Sequence, residues 1–456
     1  MNNDGWPDLF VSNDFFERDY LYINQQNGTF KVKITDLMPE ISMGSMGADI
    51  ADINNDGWSD VFVTEMLPKR MDRYKSKAIF ENWDKFYLNN NKGYHKQFSR
   101  NMLHLNLGNL DDKLNPKFIE MSRFSGLDAT DWSWGALIAD FDNDGLKDIF
   151  VANGIFKDLT DLDYVNYGYN NDQIRTMIKN KENVIIKLLD KVPSEPLPNY
   201  FFKNKGNLQF DDAGKISGLD EPTFSNGSAY ADFDNDGDLD LVVSNINTYA
   251  SIYRNNTNTI KNAKFLNIKL IGEGNNPQCI GSKVICYSKN NMIQQELNPM
   301  KGFQSCVDPR LHFGLGSIEK LDSIVVIWPN ATKTKITNGI EINKFLTINY
   351  KLSNLTQNIV QLPTTNHYFS NVKMPFNINH VENEFSDFDQ ERLLFYMISN
   401  EGHIVLSKDL NNDNRRRYSR GWSCWSKYKS LYSRKVLVNL NHSLIQQSLK
   451  MQSQRG

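Results

Sequence analysis

The chain has 456 residues, of which 40% are hydrophobic and 23% are charged. This length allows two or three domains, and the composition is that of a globular protein and not of a disordered one. No apolar run approaches the roughly 18 residues that a membrane-spanning helix needs, which excludes such a helix. The first twenty residues lack a basic start followed by an apolar core, so no secretory signal is visible in them.

The net charge of −3 is unevenly distributed along the chain. Residues 415–456 contain ten Lys and Arg and no Asp or Glu, which leaves 41 basic against 54 acidic residues, a charge of −13, in the rest. A body with this balance is suited to binding cations and poorly suited to binding polyanions.

One motif recurs in the first 262 residues. Residues 45–63, 133–151 and 225–243 align without gaps, and each copy contains Ala-Asp-[Ile/Phe]-[Asn/Asp]-Asn-Asp-Gly. Apolar alternation precedes this core and an apolar, β-branched triplet follows it, so each copy predicts a strand, a tight acidic loop and a second strand. Recurring hairpins indicate a propeller or a solenoid, because one hairpin cannot bury its own face.

Two further copies of the motif are incomplete. At the N-terminus, Asn2, Asp4 and Asp8 match it, but the first aspartate would precede Met1, so this site is expected to be empty or weak. Residues 409–414 begin the motif again, and there Asn414 replaces the glycine. Residues 372–413 are therefore predicted to start a second repeat region.

Two stretches between the predicted strands place apolar residues at helical spacing, residues 79–87 and residues 174–189. Pro193 ends the second stretch. We interpret both as short helical insertions in long loops. Because an apolar stripe usually packs on the body of its own fold, we expect both to pack against the repeats; a partner surface is the alternative.

A different pattern follows the repeats. Acidic loops stop, and short alternating strands predict a separate small β domain, a sandwich or barrel, over residues 263–351. Three of the four cysteines, Cys279, Cys286 and Cys306, lie in it, where one local disulfide and buried free thiols both fit. The polar, Asn- and Thr-rich residues 352–371 predict a linker.

The last 43 residues, 414–456, do not continue the repeat pattern. Arg417 stands where the final aspartate of the motif belongs, and the sequence then becomes basic and Ser-rich. Our hypothesis is that this tail is aberrant, translated out of frame, and that the chain is a fragment of a longer secreted protein. The alternative is a genuine basic tail that binds a membrane or nucleic acid.

The spacing Asp-x-[Asp/Asn]-x-Asp-Gly-x-x-Asp favours calcium, which takes six to eight oxygen ligands in a flexible shell. Positions 1, 3 and 5 of a tight loop point to one centre, the glycine permits the bend, and the carbonyl at position 7 and the aspartate at position 9 complete the shell. Without a cation, these carboxylates would repel one another. The candidate ligands are Asp52, Asn54, Asp56, Trp58 and Asp60; Asp140, Asp142, Asp144, Leu146 and Asp148; and Asp232, Asp234, Asp236, Asp238 and Asp240.

An EF-hand loop shares the first six positions of this motif. It also needs a glutamate at position 12 and a helix on each side. Position 12 is Val63, Val151 or Val243 here, inside a predicted strand. The motif therefore belongs to a β-hairpin version of a calcium loop.

The acidic loops resemble the FG-GAP/VCBS repeats of integrin-type β-propellers. Residues 308–316, Asp-Pro-Arg-Leu-His-Phe-Gly-Leu-Gly, and residues 325–329, Val-Val-Ile-Trp-Pro, resemble the ASPIC/UnbV domain. In this order the two parts are similar to cartilage-acidic-protein-like bacterial proteins, over residues 1–413. The resemblance implies an all-β, partial propeller with Ca²⁺ in its loops, an extracellular or cell-surface location, and a binding or adhesive role toward an unidentified extracellular protein or glycan.

Other functions fit the residues less well. Some bacterial members of the family are labelled as RNA-binding, but an acidic body without a basic, aromatic groove does not support that label. The sequence contains no nucleophile elbow, phosphate loop, zinc-ligand cluster or haem motif, so we expect no enzyme. Two alternatives stay open: a propeller-based hydrolase of glycans or esters, and a nucleic-acid-binding protein that acts through the basic tail.

Overall fold

A computed structural model describes residues 1–350, apart from residues 16, 78–82, 110–114, 168–170, 181–182 and 290, together with residues 404–408 and 417–421. The chain divides into two units, Met1–Pro363 and Thr364–Gly456. The predicted linker lies outside the described residues, as do most of the predicted second repeat region and most of the basic tail.

The repeat region is built from short strands, which are antiparallel except in one two-stranded pair. In chain order they are β1 (Leu9–Val11), β2 (Tyr20–Asn24), β3 (Phe30–Val32), β4 (Ile41–Ser42), β5 (Ala48–Ala51), β6 (Asp60–Val63), β7 (Gln97–Phe98), β8 (Met102–Asn109), β9 (Pro116–Glu120), β10 (Ser133–Ala139), β11 (Asp148–Asn153), β12 (Tyr200–Asn204), β13 (Phe210–Asp212), β14 (Ser225–Ala231), β15 (Asp240–Asn245) and β16 (Ser251–Tyr253). They form four successive sheets, β1-β2-β3, β5-β6-β8-β9, β10-β11-β12-β13 and β14-β15-β16; β4 and β7 pair separately.

Each neighbouring pair of these sheets shares one apolar core. In β6, Val61 and Val63 pack toward the first sheet, whereas Phe62 packs toward the third. Leu137 and Phe150 of the third sheet pack toward the fourth. The triplets in β6 and β11 are apolar throughout because strands between two sheets are buried on both faces. This stacking confirms the predicted all-β, propeller-like fold.

Substitution of Phe62 tests this stacking, because the Phe62 side chain is fully buried between two sheets. Phe62→Ala should lower the free energy of unfolding by about 3–5 kcal/mol, because it removes a large side chain and leaves a cavity. Urea denaturation measures the loss. Phe124→Ala is the matched control, since the Phe124 side chain is 60% exposed. Equal losses for the two variants would contradict the stacking.

Short helices lie between the strands. They are α1 (Ile34–Leu37), α2 (Met71–Ser76), α3 (Trp83–Asn91), α4 (Ser122–Ser125), α5 (Leu162–Tyr167), α6 (Asn171–Lys179), α7 (Val184–Lys191) and α8 (Thr257–Lys261). The first predicted insertion appears as α3, where Phe86 contacts the ring of Phe98 in β7; residues 79–82 lie outside the described residues. The second appears as α6 and α7. The expectation that this insertion packs against the repeats is wrong for α7, which buries none of its residues and leaves Ile185 68% exposed.

The β domain, residues 265–349, is a sandwich of two sheets around its own core. Its strands are β17 (Phe265–Ile271), β18 (Lys283–Ser288), β19 (Asn291–Glu296), β20 (Met300–Lys301), β21 (Ser305–Cys306), β22 (Leu311–Gly314), β23 (Ser323–Ile327), β24 (Lys333–Ile336) and β25 (Lys344–Asn349). The sheet orders are β22-β17-β25 and β19-β18-β23-β24. Cys279 and Cys286 are buried free thiols and Cys306 is an exposed one, so no disulfide joins these three cysteines.

The β20-β21 hairpin of the β domain inserts among the strands that precede the acidic loops. Gly47, Gly135 and Gly227, the third residue of each repeat copy, face it. A Cβ on Gly135 would lie 3.1 Å from the Phe303 nitrogen, and one on Gly227 would lie 3.0 Å from Ser305 Oγ. The Ser-x-Gly start of each copy therefore leaves room for this hairpin.

The second unit is described only at two strands. Here β26 (Ile404–Lys408) pairs antiparallel with β27 (Arg417–Gly421).

Candidate metal centres in the acidic loops

Each acidic loop closes an antiparallel hairpin, as the sequence predicts. The first loop (residues 52–60) joins β5 to β6, the second (140–148) joins β10 to β11, and the third (232–240) joins β14 to β15. In all three, the alanine before the loop pairs with its ninth residue, as in Ala139 and Asp148. The loop glycines, Gly57, Gly145 and Gly237, share a φ of +92°, which only glycine adopts without strain.

Backbone N–H groups fix the first aspartate of each loop. Asp140 accepts hydrogen bonds from the nitrogens of Asp144, at 3.1 Å, and Gly145, at 2.8 Å. Asp52 and Asp232 accept the equivalent pairs. These carboxylates are therefore oriented by their own loops before any ion binds.

The ninth aspartate is fixed by the third strand of its sheet. Asp148 accepts hydrogen bonds from the nitrogen of Phe141, at 3.2 Å, and from that of Asn204 at the end of β12, at 2.9 Å. In the same way, the Asn106 nitrogen donates to Asp60 and the Asn255 nitrogen donates to Asp240. Sequence reasoning assigned this asparagine no role, although an asparagine recurs at this place in each sheet.

Carboxylates converge in two of the three loops. In the second loop, one oxygen each from Asp140, Asp142 and Asp148 lies within 4.8 Å of the others, and Asp232, Asp234 and Asp240 do the same in the third. The first loop has an amide, Asn54, at position 3, so it offers fewer charges. Positions 1, 3 and 9 are thus brought together in the second and third loops.

Positions 5 and 7 are arranged differently. One carboxylate oxygen of Asp56, Asp144 and Asp236 accepts the N–H of position 7, which belongs to Trp58, Leu146 and Asp238 respectively. The second carboxylate oxygen and the position-7 carbonyl are the groups that an ion would use. Their ligation stays a prediction.

Burial makes several carboxylates of the three loops costly to ionise. It raises the pKa of Asp140 to about 8, with the charge of Asp144 adding to the effect, and it raises the pKa of Asp60 to about 8. Burial likewise raises the pKa of Asp148 well above its ordinary value and that of Asp232 to about 6. A bound cation would remove this penalty by favouring the charged form.

Protein cations also pair with candidate ligand carboxylates in the second and third loops. Lys203 and Lys261 donate to Asp142, the latter at 2.6 Å, and their hydrogen bonds outweigh burial, so the pKa of Asp142 is lowered. On the third loop, Arg254 lies 2.7 Å from Asp234. Lys203 and Arg254 each precede the strand-end asparagine, where the first two sheets carry Ile23 and Leu105.

The donor set fits a hard divalent cation. It consists of carboxylate and amide oxygens, which calcium prefers. Asp142 Oδ1 is buried and has no hydrogen-bond partner, so an acceptor in the second loop is available for an ion.

A second asparagine series links consecutive loops, and sequence reasoning missed it too. The asparagine at position 4 has a left-handed backbone in every copy, with φ of +56° at Asn3 and +58° at Asn55, Asn143 and Asn235. Asn3 donates to the Gly57 carbonyl at 3.0 Å, Asn55 to that of Gly145 at 2.9 Å, and Asn143 to that of Gly237 at 3.1 Å. Its identity in all four copies was the available signal.

Asn55 provides a test of these links. Asn55→Ala should destabilise the chain by about 1–2 kcal/mol, because alanine resists the left-handed conformation and cannot donate to Gly145. Asn55→Gly keeps the conformation and loses only the hydrogen bonds, so it should cost less. Thermal unfolding compares the two variants, and an alanine variant as stable as the wild type would contradict the link.

In the N-terminal copy, Asn24 N donates to Asp8 at 2.8 Å, as its equivalents do in the three complete loops, and the Met1 amino group lies 3.0 Å from Asp8. Asn2 donates to Asp4 at 3.0 Å. The expectation that this site is empty or weak stays a prediction.

Comparison with known families supports the repeat and the β domain separately. Residues 1–63 match the FG-GAP-like repeat family, and residues 272–354 match the family described as ASPIC and UnbV. No curated protein matches the chain. No helix among the described residues is both long and apolar enough to cross a membrane. The predicted resemblance is confirmed: the chain is similar to FG-GAP-like repeats at its start and to ASPIC/UnbV domains after its third acidic loop.

Proposed function

We propose that the chain is a calcium-stabilised extracellular or cell-surface module that binds a protein or a glycan and catalyses no reaction. FG-GAP-like repeats are typical of extracellular binding and adhesion modules, and they commonly bind calcium. The observation that carries the proposal is the convergence of three carboxylates in each of two loops, with most of them buried.

Calcium, when bound, supplies a double positive charge that neutralises the loop carboxylates. The residues of the chain orient the ligands and hold the loops and sheets together. Backbone N–H groups orient positions 1 and 9, the asparagine at position 4 ties each loop to the next, and the shared cores keep the sheets stacked. The proposed role of the ion is to let this acidic edge stay folded while the remaining surface of the stack binds a partner.

Calorimetric titration of the metal-free chain with calcium chloride tests the proposal. We expect at least two binding sites per chain. Asp140→Asn should remove one of them, because Asp140 is the position-1 ligand of the second loop. Asp220→Asn is the matched control, since this exposed aspartate lies outside the loops. No heat of binding, or an equal effect of the two variants, would refute calcium binding at these loops.

The hydrolase alternative makes a different prediction. Its acid and base would be the same clustered aspartates or another pair of acids. Turnover of a glycan or an ester that survives Asp140→Asn would favour the hydrolase, whereas calcium-dependent retention on a glycan array without turnover favours the binding module.

A further inference from the structure

We propose that the second and third acidic loops are the docking surface of the β domain, and that cation binding in these loops and docking of the β domain stabilise each other. The proposal rests on the proposed calcium binding. It assigns the loops a second role, inside the molecule, and it assigns a role to the segment 308–316, which carries the resemblance to ASPIC/UnbV domains.

The β domain approaches the second loop through two glycines of that segment. A Cβ on Gly314 would lie 1.9 Å from Asp140 Oδ2, and one on Gly316 would lie 2.4 Å from the Asp144 carbonyl oxygen. The Gly316 nitrogen donates to the Asn143 carbonyl at 2.9 Å. Any side chain at residue 314 would therefore collide with a candidate ligand, which explains why glycine stands there.

A buried histidine joins the second loop to the β domain. His312 Nε2 lies 2.6 Å from Asn143 Oδ1, and its Nδ1 lies 2.8 Å from Asn267 Oδ1. His312 is 4% exposed, and burial lowers its pKa. The His312 ring therefore connects Asn143 of the second loop to Asn267 in the first strand of the β domain.

The β domain also contacts the third loop, where it donates a hydrogen bond to a candidate ligand. Asn267 Nδ2 donates to Asp232 Oδ2, a candidate ligand, at 3.1 Å. Arg310 donates to the Asp232 carbonyl at 3.0 Å and to Asn235 Oδ1 at 2.8 Å. A Cβ on Gly237 would lie 2.0 Å from the ring of Phe265, so the loop and the first strand of the β domain are in close contact.

These contacts couple cation binding in the loops to docking of the β domain. An ion that holds Asp140 and Asp232 in place also fixes the surface that His312, Arg310 and Asn267 contact. By thermodynamic reciprocity, a docked β domain must raise the affinity of the loops for the ion by the same factor. The first loop differs, since Gln294 of the β domain donates to its Gly57 carbonyl, at 2.9 Å, and not to a candidate ligand.

Arg310→Gln tests the coupling from the side of the β domain. It removes both hydrogen bonds to the third loop and leaves every candidate ligand unchanged. We expect the calcium affinity of one site, measured by calorimetry, to fall about fivefold or more. Lys333→Gln is the matched control, because it removes an exposed charge from strand β24 of the same domain. Equal affinities for Arg310→Gln and Lys333→Gln would overturn the proposal.

Asp234→Asn tests it from the side of the loop. Asp234 pairs with Arg254, outside the β domain. At a calcium concentration that saturates the wild type, the variant should lose one ion, and hydrogen exchange should accelerate in residues 265–268 of β17, whose Phe265 and Asn267 contact the third loop, while β24 stays unchanged. Loss of the ion with wild-type exchange in residues 265–268 would overturn the coupling. A wild-type chain that binds no calcium would instead refute the proposed function on which the coupling rests.

Discussion

Lys301→Met should lower the free energy of unfolding by about 3–5 kcal/mol, the usual cost of leaving a buried charge without its partner. Lys301 Nζ, in the inserted hairpin, lies 2.6 Å from Asp49 Oδ1 and 2.9 Å from the Ile50 carbonyl oxygen. Asp49 is only 2% exposed, and burial raises its pKa despite the nearby ammonium group. Without Lys301, this carboxylate either ionises unpaired or takes up a proton. Urea denaturation at neutral pH measures the loss.

Two controls distinguish the stability lost with the ion pair from the stability lost by changing the side chain itself. Lys333→Met removes an exposed lysine of the same domain and should change stability by less than about 0.5 kcal/mol. Asp49→Asn combined with Lys301→Met removes both charges and should recover part of the loss, because no unpaired charge remains. A Lys301→Met variant as stable as Lys333→Met would mean that the hairpin does not depend on this ion pair.

Calcium should stabilise the chain more at pH 8 than at pH 5. In the metal-free protein, Asp60 and Asp140 have pKa values of about 8, raised by burial from an ordinary value of 3.8. Between these values the folded state binds more protons than the unfolded state, so the stability of the metal-free protein falls as the pH rises toward 8. An ion restores the lost stability, and at 100 times its dissociation constant it contributes about 2.7 kcal/mol per site.

Thermal scans at pH 5 and pH 8, with calcium or with a chelator, measure this effect. Asp14, which is half-buried, and Asp19, which is buried, also have raised pKa values, about 6 and about 7. They lie outside the acidic loops, so they change the pH dependence in both scans alike. The difference between the two scans therefore isolates the loop carboxylates. A calcium-induced shift in melting temperature that is equal at the two pH values, or smaller at pH 8, would contradict the prediction.

The local part of the fold could be predicted from the sequence because its determinants lie within about twenty residues. The repeat predicts the hairpins, and the spacing of Asp140, Asp142 and Asp148 predicts their convergence. The alternation of Val61, Phe62 and Val63 follows from strand geometry and places their side chains in two different cores.

The contacts between distant segments could not be predicted in this way. His312 and Asn143 are 169 residues apart, and nothing in the local pattern of either segment points to the other. The cations Lys203 and Arg254 could have been found from the sequence. Aligning the asparagines that follow them places these two residues opposite the apolar Ile23 and Leu105. The helical spacing of apolar residues in α7 predicts an apolar face but does not predict what that face contacts.

The inserted hairpin has a consequence for the order in which the molecule is built. Synthesis proceeds from the N-terminus, and domains fold as they emerge from the ribosome, so all four repeat sheets exist before residues 300–306 are made. Until then, Asp49 lacks its ammonium partner Lys301, and Gly135 and Gly227 lack the contacts that the hairpin makes with them. Completion of the nascent repeat stack must therefore wait for translation of the β domain, and a ribosome stalled before residue 300 should carry a stack that a protease cleaves readily.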